Sequence, residues 1–127
     1  MKNNKKLFIC ICTKKINQNL KKLLQTISVN NYSDKLKVEV LITINNLDKI
    51  SFIEKKNIKK ILKNNKFYII NEPIVGVSHA RNKCLKFLRN KNFDYGCFLD
   101  DDCIVGKDYI KNNLDFILEN KCDVFTG

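Results

Sequence analysis

The sequence predicts an α/β domain of Rossmann-like type, an open and mainly parallel sheet with helices on both faces. Short apolar runs alternate along the chain with segments whose apolar residues recur at helical spacing. The first run, residues 7–12, is continuously apolar, as strands buried on both faces of a parallel sheet are. Of the 127 residues, 44% are hydrophobic, which is enough for the core of one compact domain. Because linkers, repeats and Gly/Ser tracts are absent, residues 1–127 are predicted to form a single domain.

The elements follow in order. After the first strand, Leu20, Leu23, Leu24 and Ile27 recur at helical spacing, with Asn17 as the predicted cap of a helix over residues 17–29. Residues 38–44 form the second predicted strand, a lysine-rich helix covers residues 52–64, and residues 67–70 form the third strand. The remaining predictions are strands at residues 95–99 and 122–125 and a helix from residue 109 to 118.

A further helix is predicted to begin near Gly76 or Ser78. Its apolar positions define the predicted buried stripe: Val77, Ala80, Cys84, Leu85 and Leu88. The glycine turn leaves backbone N–H groups free at the helix start, where an anion is favoured. Arg81 could reach a phosphate from the second turn, and the alternative is an exposed arginine paired with a nearby acid. His79 is interpreted as a structural residue.

The chain is strongly basic. Lys and Arg number 24 against 13 for Asp and Glu, a formal net charge of +11, which favours anionic partners such as phosphate-bearing molecules, nucleic acid or acidic lipid. The densest lysine cluster is interpreted as the solvated face of one helix and comprises Lys55, Lys56, Lys59, Lys60 and Lys63. A basic nucleic-acid-binding α/β module without catalysis is therefore the alternative function. No RNP-like strand, zinc finger or clear helix-turn-helix supports it, so nucleic acid is not the expected partner.

The six cysteines are predicted to be reduced thiols. They form no CxxC pair, and His79 is not spaced with any of them as a zinc site requires. Buried thiols of this kind point to a reducing, cytoplasmic compartment. No apolar run is long enough to span a membrane, although the charge allows peripheral contact with an anionic membrane at its inner face.

Three acids follow the fourth predicted strand directly. Asp100, Asp101 and Asp102 lie at a strand's carboxyl end, where open parallel sheets bind their ligands. Adjacent carboxylates repel one another, and Mg2+ or Mn2+ would compensate because both prefer carboxylate oxygen. The alternative is a solvated loop in which Asp101 or Asp102 caps the next segment. From the residues alone, both interpretations stay open.

The ordered set of motifs resembles the family 2 glycosyltransferases, which have a GT-A fold. The run from Gly76 through Ala80-Arg81-Asn82 looks like the family's helix, and Phe98-Leu99-Asp100-Asp101-Asp102 looks like its strand ending in the DxD metal motif. The strand ending in Cys12-Thr13, the helix with Leu20 and Leu24, and the strand over residues 38–42 match the family's opening elements.

The resemblance implies transfer of a sugar from a nucleotide-diphosphate donor, with a UDP-sugar expected, in cell-surface polysaccharide or glycoconjugate synthesis. Asp100 and Asp102 would hold Mn2+ or Mg2+, which bridges to the diphosphate, with Asp102 as the direct ligand. Asp100 or Asp101 would lie near the ribose and Thr13 beside the nucleotide. Arg81 and Asn82 would help to hold the donor.

Three departures from the family pattern qualify these expectations. The first turn reads Thr13-Lys14-Lys15-Ile16 where the family has Thr-aromatic-Asn-Arg. The second strand ends in Ile44-Asn45-Asn46 instead of a base-recognising Asp, so Asn45 is the candidate replacement.

The acceptor-binding half that carries the family's acidic general base has no counterpart in the sequence, so no catalytic residue is predicted. The chain is therefore expected to be a donor-binding half, truncated before the acceptor half and inactive alone unless a partner chain completes it. A folded remnant that binds nothing specific is the third possible interpretation, after the glycosyltransferase and the nucleic-acid-binding module.

Overall fold

The computed structural model describes residues 4–120, which form a four-stranded sheet with four helices. The strands are β1 (Lys5–Thr13), β2 (Leu36–Ile44), β3 (Phe67–Asn71) and β4 (Tyr95–Asp100). Their order is β3-β2-β1-β4, and every pairing is parallel, which confirms the predicted parallel sheet. Cys12 is opposite Thr43 of β2 and Asp100 of β4, so these three strands end at the same edge. The predicted strand at residues 122–125 lies outside the described residues.

Helices lie on both faces of the sheet, as predicted: α1 (Gln18–Ser28), α2 (Phe52–Ile61), α3 (Val77–Arg89) and α4 (Tyr109–Asn120). Asn17 caps α1, since its side chain accepts a hydrogen bond from the Leu20 N–H at 3.0 Å. Helix α2 ends at Ile61, with Leu62 as its cap, rather than at residue 64. It ends early because Asn65 turns inward and donates to the Val38 carbonyl at 3.1 Å, which directs the chain into β3.

Alternate residues of β1 and β2 point into two separate cores. On one face Ile9, Ile11, Val40 and Ile42 pack with the apolar sides of α1, α2 and α4, which contribute Leu20, Leu23, Leu24, Ile27, Ile58 and Ile110. On the other face Phe8, Cys10 and Leu41 pack with Cys84 and Leu88 of α3. Each such side chain, fully buried, contributes about 1.5–3 kcal/mol, so this double burial holds the sheet in place.

The buried stripe of α3 is narrower than predicted. Ala80, Cys84 and Leu88 are buried, whereas the side chains of Val77 and Leu85 are 56% and 53% exposed. Residues four apart form a single line along a helix. Within residues 4–120 only α3 lies on that face of the sheet, so no second helix covers the flanks of this line.

Two composition-based predictions are confirmed. The five lysines assigned to the outer face of α2 and its end are all exposed. The five cysteines in the described part of the chain are free thiols: Cys10, Cys12, Cys84, Cys97 and Cys103. Among the described helices, none combines the length and the apolar character needed to cross a membrane.

Candidate functional site

A cleft of about 660 Å³ opens at the edge where β1, β2 and β4 end and α3 begins. This volume falls within the range of about 300–1,000 Å³ that is typical of small-molecule sites. Of the predicted site residues, all but Asn82 line it: Thr13, Asn45, Arg81, Asp100, Asp101 and Asp102. The parallel register brings these residues together from positions as far apart as Thr13 and Asp102.

The three acids do not act as one group, because Asp101 turns inward. Its Oδ2 lies 2.7 Å from the hydroxyl of Thr13, which is buried at the end of β1. The same hydroxyl lies 2.9 Å from the Lys15 carbonyl, and its one proton favours the charged carboxylate as acceptor. Asp101 is therefore fixed by Thr13, while Asp100 and Asp102 stay exposed to the cleft.

Asp100, Asp102 and Cys103 can bring one ligand atom each to within 4.8 Å of one another. Two carboxylates match the oxygen preference of Mg2+ and Mn2+, and the Cys103 thiol adds a softer donor. The donor set thus fits a divalent cation. The sequence interpretation missed Cys103, whose only signal was its position directly after the triplet.

The far end of the acidic loop is tied to α1. The Val105 N–H donates to the Thr26 hydroxyl at 3.2 Å. Asn30 donates to the Gly106 carbonyl at 2.6 Å and accepts from the Ile110 N–H at 3.0 Å. The loop is consequently held at both ends, by Thr13 at the first and by Asn30 and Thr26 at the second.

Arg81 lies over the site from α3. Its guanidinium is 3.9 Å from Asp100 Oδ1, and its centre is 5.7 Å from the ring centroid of Phe98. Both partners of the ion pair are largely exposed, so the pair contributes about 0–1 kcal/mol at most. Arg81 can therefore exchange Asp100 for an arriving phosphate at little cost.

Both polar atoms of the Asn45 side chain form hydrogen bonds with the backbone of residues 72–76. The side chain is buried, and its amide nitrogen donates to the carbonyls of Glu72 and Ile74 at 3.0 and 2.8 Å. Its Oδ1 accepts from the Gly76 N–H at 2.8 Å. Both amide hydrogens are engaged, which leaves only the second lone pair of Oδ1 for a ligand. Recognition of the base by Asn45 stays a prediction.

The structure does not bring Asn82 to the acids. It lies instead on a second depression beside His79, with Glu72 and Arg89. Several residues that line the cleft were not predicted as site residues from the sequence: Cys12, Lys14, Lys15, Asn17, Val75 and Phe98. The signal for Lys14 and Lys15 was their place in the turn that follows β1.

Thiols from β1 and α3 meet beneath the cleft. The sulfurs of Cys12 and Cys84 are 3.8 Å apart, and the Thr43 hydroxyl is 3.0 Å from the Cys84 sulfur. Hydrogen bonds from the Cys10 and Cys12 thiols converge on Cys84 and lower the pKa of Cys84. The same bonds, together with burial, raise the pKa of Cys10 and of Cys12.

Comparison with known proteins places the chain in a family. The family described as glycosyl transferase family 2 matches residues 8–127. The crystal structure of S. aureus TarS is similar with a TM-score of 0.68 and 19% identity, over 94% of this chain and 20% of that one. The crystal structure of S. aureus TarS 1-349 gives 0.69 and 18%, over 93% of this chain and 34% of that one.

No curated protein matches the chain. The likeness to the two TarS structures shows the fold, which confirms the expected GT-A type, and the chain spans 20% and 34% of their lengths. The family match extends over nearly the whole sequence. The chain therefore belongs to glycosyl transferase family 2.

Proposed function

We propose that the chain binds a nucleotide-diphosphate sugar, with a UDP-sugar as the expected donor, through a divalent cation, for transfer of the sugar to an acceptor hydroxyl. The observation that carries the proposal is the convergence of Asp100, Asp102 and Cys103 at a cleft of about 660 Å³. Mn2+ or Mg2+ bound there would neutralise charge on the departing nucleoside diphosphate.

The protein's own groups have separate tasks in this proposal. Asp100 and Asp102 hold the cation, while Asp101, fixed by its 2.7 Å contact with Thr13, faces the nucleoside. Arg81 leaves its weak pair with Asp100 and contacts the diphosphate. Asn82 stays a predicted contact of the sugar donor. Because it lies on α3 outside the cleft, its side chain would have to change rotamer, or the backbone around it would have to move, to reach the donor.

The distribution of charge supports this function over nucleic-acid binding. Three carboxylates occupy the cleft, and Lys14, Lys15 and Arg81 line it beside them. An acidic centre with a basic rim suits a cation with its phosphates, whereas a polyanion requires a continuous basic stripe. The net charge of +11 then aids capture of an anionic donor.

Transfer itself needs an acceptor and a general base. The base is not assigned to any residue between 4 and 120, and we place it in an acceptor-binding part on a continuation of the chain or on a partner chain. Asp115 and Glu119 on α4 are exposed acids outside the cleft lining. On this proposal the chain alone binds the donor without transferring sugar at an appreciable rate.

Calorimetric titration with UDP, with and without Mn2+, tests the donor site. We expect binding that requires Mn2+ and that weakens at least about tenfold in Asp102→Ala, because one of two carboxylate ligands is lost. Asp115→Ala, an acid of the same type outside the cleft, is the control and should bind as the parent does. Absence of binding to UDP, GDP and dTDP alike would refute the proposal, as would binding that ignores the cation.

A further inference from the structure

We propose that Cys12 and Cys84 are a dithiol modification site, which low-molecular-weight disulfides convert into an internal disulfide that weakens binding in the donor cleft. The geometry places their two sulfurs 3.8 Å apart, on elements that both border the cleft. The coupling to the cleft rests on the proposed function, whereas formation of the disulfide does not.

The distance permits the bond. A disulfide needs about 2.05 Å between its sulfurs, so the pair must close by about 1.8 Å. Rotation of the thiols about their Cα–Cβ bonds supplies part of this movement, and a small shift of α3 against β1 supplies the rest. Both thiols are free in the structure.

The two cysteines differ in access, which sets the order of the steps. Cys12 is partly exposed and lines the cleft, whereas Cys84 is fully buried on α3. A small disulfide that enters the cleft therefore meets Cys12 first. Cys84 is reached only from Cys12, and the Thr43 hydroxyl at 3.0 Å can support its thiolate.

Thiol–disulfide exchange balances the reaction. As Cys12 attacks one sulfur of the reagent, its proton passes to the Cys84 sulfur 3.8 Å away. A mixed disulfide forms, and the other half of the reagent leaves as a thiolate, which takes the proton from Cys84. The Cys84 thiolate then attacks the Cys12 sulfur and expels the second half, which is likewise protonated. Two protein thiols are oxidised to one disulfide, and the reagent is reduced to two thiols.

The consequence for the cleft follows from the neighbours of the pair. Cys12 directly precedes Thr13, whose hydroxyl holds Asp101 at 2.7 Å. Cys84 lies one turn after Ala80 and Arg81, which line the cleft. A new covalent bond between β1 and α3 shifts these groups by a few tenths of an ångström or more, and hydrogen bonds weaken steeply over such changes.

Oxidised glutathione tests the modification site on the full chain, with mass spectrometry of the intact protein and of its peptides. We expect a product two hydrogen atoms lighter that retains no glutathione and carries a Cys12–Cys84 linkage. Cys84→Ser should stop at a glutathione adduct on Cys12, and Cys12→Ser should give neither product. Cys97→Ser, a thiol of the opposite core, is the matched control and should behave as the parent.

Because Cys10 is two residues from Cys12, Cys10→Ser is needed as well and should leave the linkage intact. A linkage that survives in Cys12→Ser, or no internal linkage at equilibrium, overturns the site. Circular dichroism verifies that each serine variant is folded, and Cys84→Ala replaces Cys84→Ser if the latter is not.

Titration of the oxidised and reduced parent with UDP and Mn2+ tests the coupling. We expect affinity to fall at least about tenfold on oxidation and to recover with a phosphine reductant, whereas the affinity of Cys12→Ser, which forms neither product, should not change on oxidation. Equal affinity in both states, with the linkage mapped, overturns the coupling. Failure of the reduced protein to bind UDP would refute the proposed function, while the mapping would still decide the dithiol site.

Discussion

Buried or half-buried asparagine side chains hold the loops around the cleft. Asn45 ties the segment 72–76 to the end of β2, and Asn30 ties the acidic loop to α1 and α4. Asn71 donates to the carbonyls of Ile44 and Asn46 at 3.1 and 3.0 Å. An amide both donates and accepts, so one such side chain satisfies several backbone groups that lie outside regular structure. Losing one partner leaves the others unsatisfied, at about 1–3 kcal/mol.

Asn45→Ala should therefore lower the free energy of unfolding by about 1–3 kcal/mol and weaken UDP binding, because Gly76 and its neighbours lose their anchor. Asn45→Asp should also destabilise the fold, since a carboxylate accepts from Gly76 but cannot donate to two carbonyls. Urea unfolding measures both variants.

The adjacent Asn46 provides the control for this pair of substitutions. It is half-buried, and the hydrogen bond that it donates to the Lys14 carbonyl at 3.1 Å is exposed to solvent, so Asn46→Ala should change stability by only about 0.5 kcal/mol. If Asn45→Ala were no more costly than Asn46→Ala, the anchoring role would be wrong. If Asn45→Asp were stable and bound UDP more tightly, base recognition by this position would be supported instead.

The residue scale also shows what the sequence could and could not predict of the site. Asp100–102 stood out because three acids follow an apolar strand, and the order of motifs indicated Thr13 and Arg81. The contacts of Asn45 with Gly76, and of Cys12 with Cys84, join positions 31 and 72 apart. Side-chain direction at such separations is set by packing, for which the local pattern carries no signal.

Helix α3 begins at a glycine whose backbone other residues cannot readily adopt. Gly76 has φ of +143°, a region that is strained for any residue with a Cβ. A Cβ there would lie 3.2 Å from the His79 ring. This conformation lets the Gly76 N–H point to Asn45 while its carbonyl accepts from the Ala80 N–H at 3.1 Å, so α3 starts at the cleft.

Gly76→Ala should lower the free energy of unfolding by about 1–3 kcal/mol and reduce Mn2+-dependent UDP binding. Gly106→Ala is the matched control, because a Cβ at that position meets nothing within 4 Å. That control should stay within about 0.5 kcal/mol of the parent in the same urea titration. Equal effects of the two substitutions would show that the backbone of Gly76 is not strained by a side chain.

At the scale of elements, the sequence predicted the interiors of the helices and strands but not where each of them ends. Apolar periodicity indicated every described strand and helix, because each buries one line or face of side chains. The end of α2 at Ile61 depends on the contact between Asn65 and Val38. The narrow buried stripe of α3 depends on how many helices pack on the same face of the sheet. The end of α2 and the width of this stripe are both set by residues that are distant in the sequence.

The molecule as a whole places Asp100, Asp101 and Asp102 at one edge of the sheet and a cluster of lysines on the outer surface of α2. One of its two cores, between the sheet and α1, α2 and α4, includes titratable groups. Burial raises the pKa of the Cys97 thiol from 9.0 to about 12 in the folded state, and burial also raises the pKa of Tyr109. Above the ordinary thiol pKa, an unfolded chain loses the Cys97 proton while the folded chain keeps it.

Stability should therefore be unaffected by Cys97 below about pH 9 and should fall as the pH rises from about 9 towards 12, by at most about 1.4 kcal/mol per pH unit. Urea unfolding in reductant at about pH 8 and about pH 10.5 measures the loss. Cys97→Ala should lower stability at both values and reduce the difference between them.

Leu99→Ala is the control for Cys97→Ala. Leu99 lies two residues along β4, packs into the same core and does not titrate, so its loss should leave the pH difference as in the parent. An unchanged pH difference in Cys97→Ala would mean that this thiol does not contribute to alkaline instability.

The ties at the two ends of the acidic loop have a consequence for the order of folding. Thr13 and Asp101 are 88 residues apart, and Asn30 and Ile110 are 80 apart. Contacts of such separation form only after large loops close, which makes them late and slow compared with helices. During synthesis the donor site therefore cannot assemble until the ribosome has released the chain beyond Ile110. Nucleotide binding would then mark the completion of the fold, and a nascent chain stalled just before that point would carry an acidic loop that lacks the tie between Asn30 and Ile110.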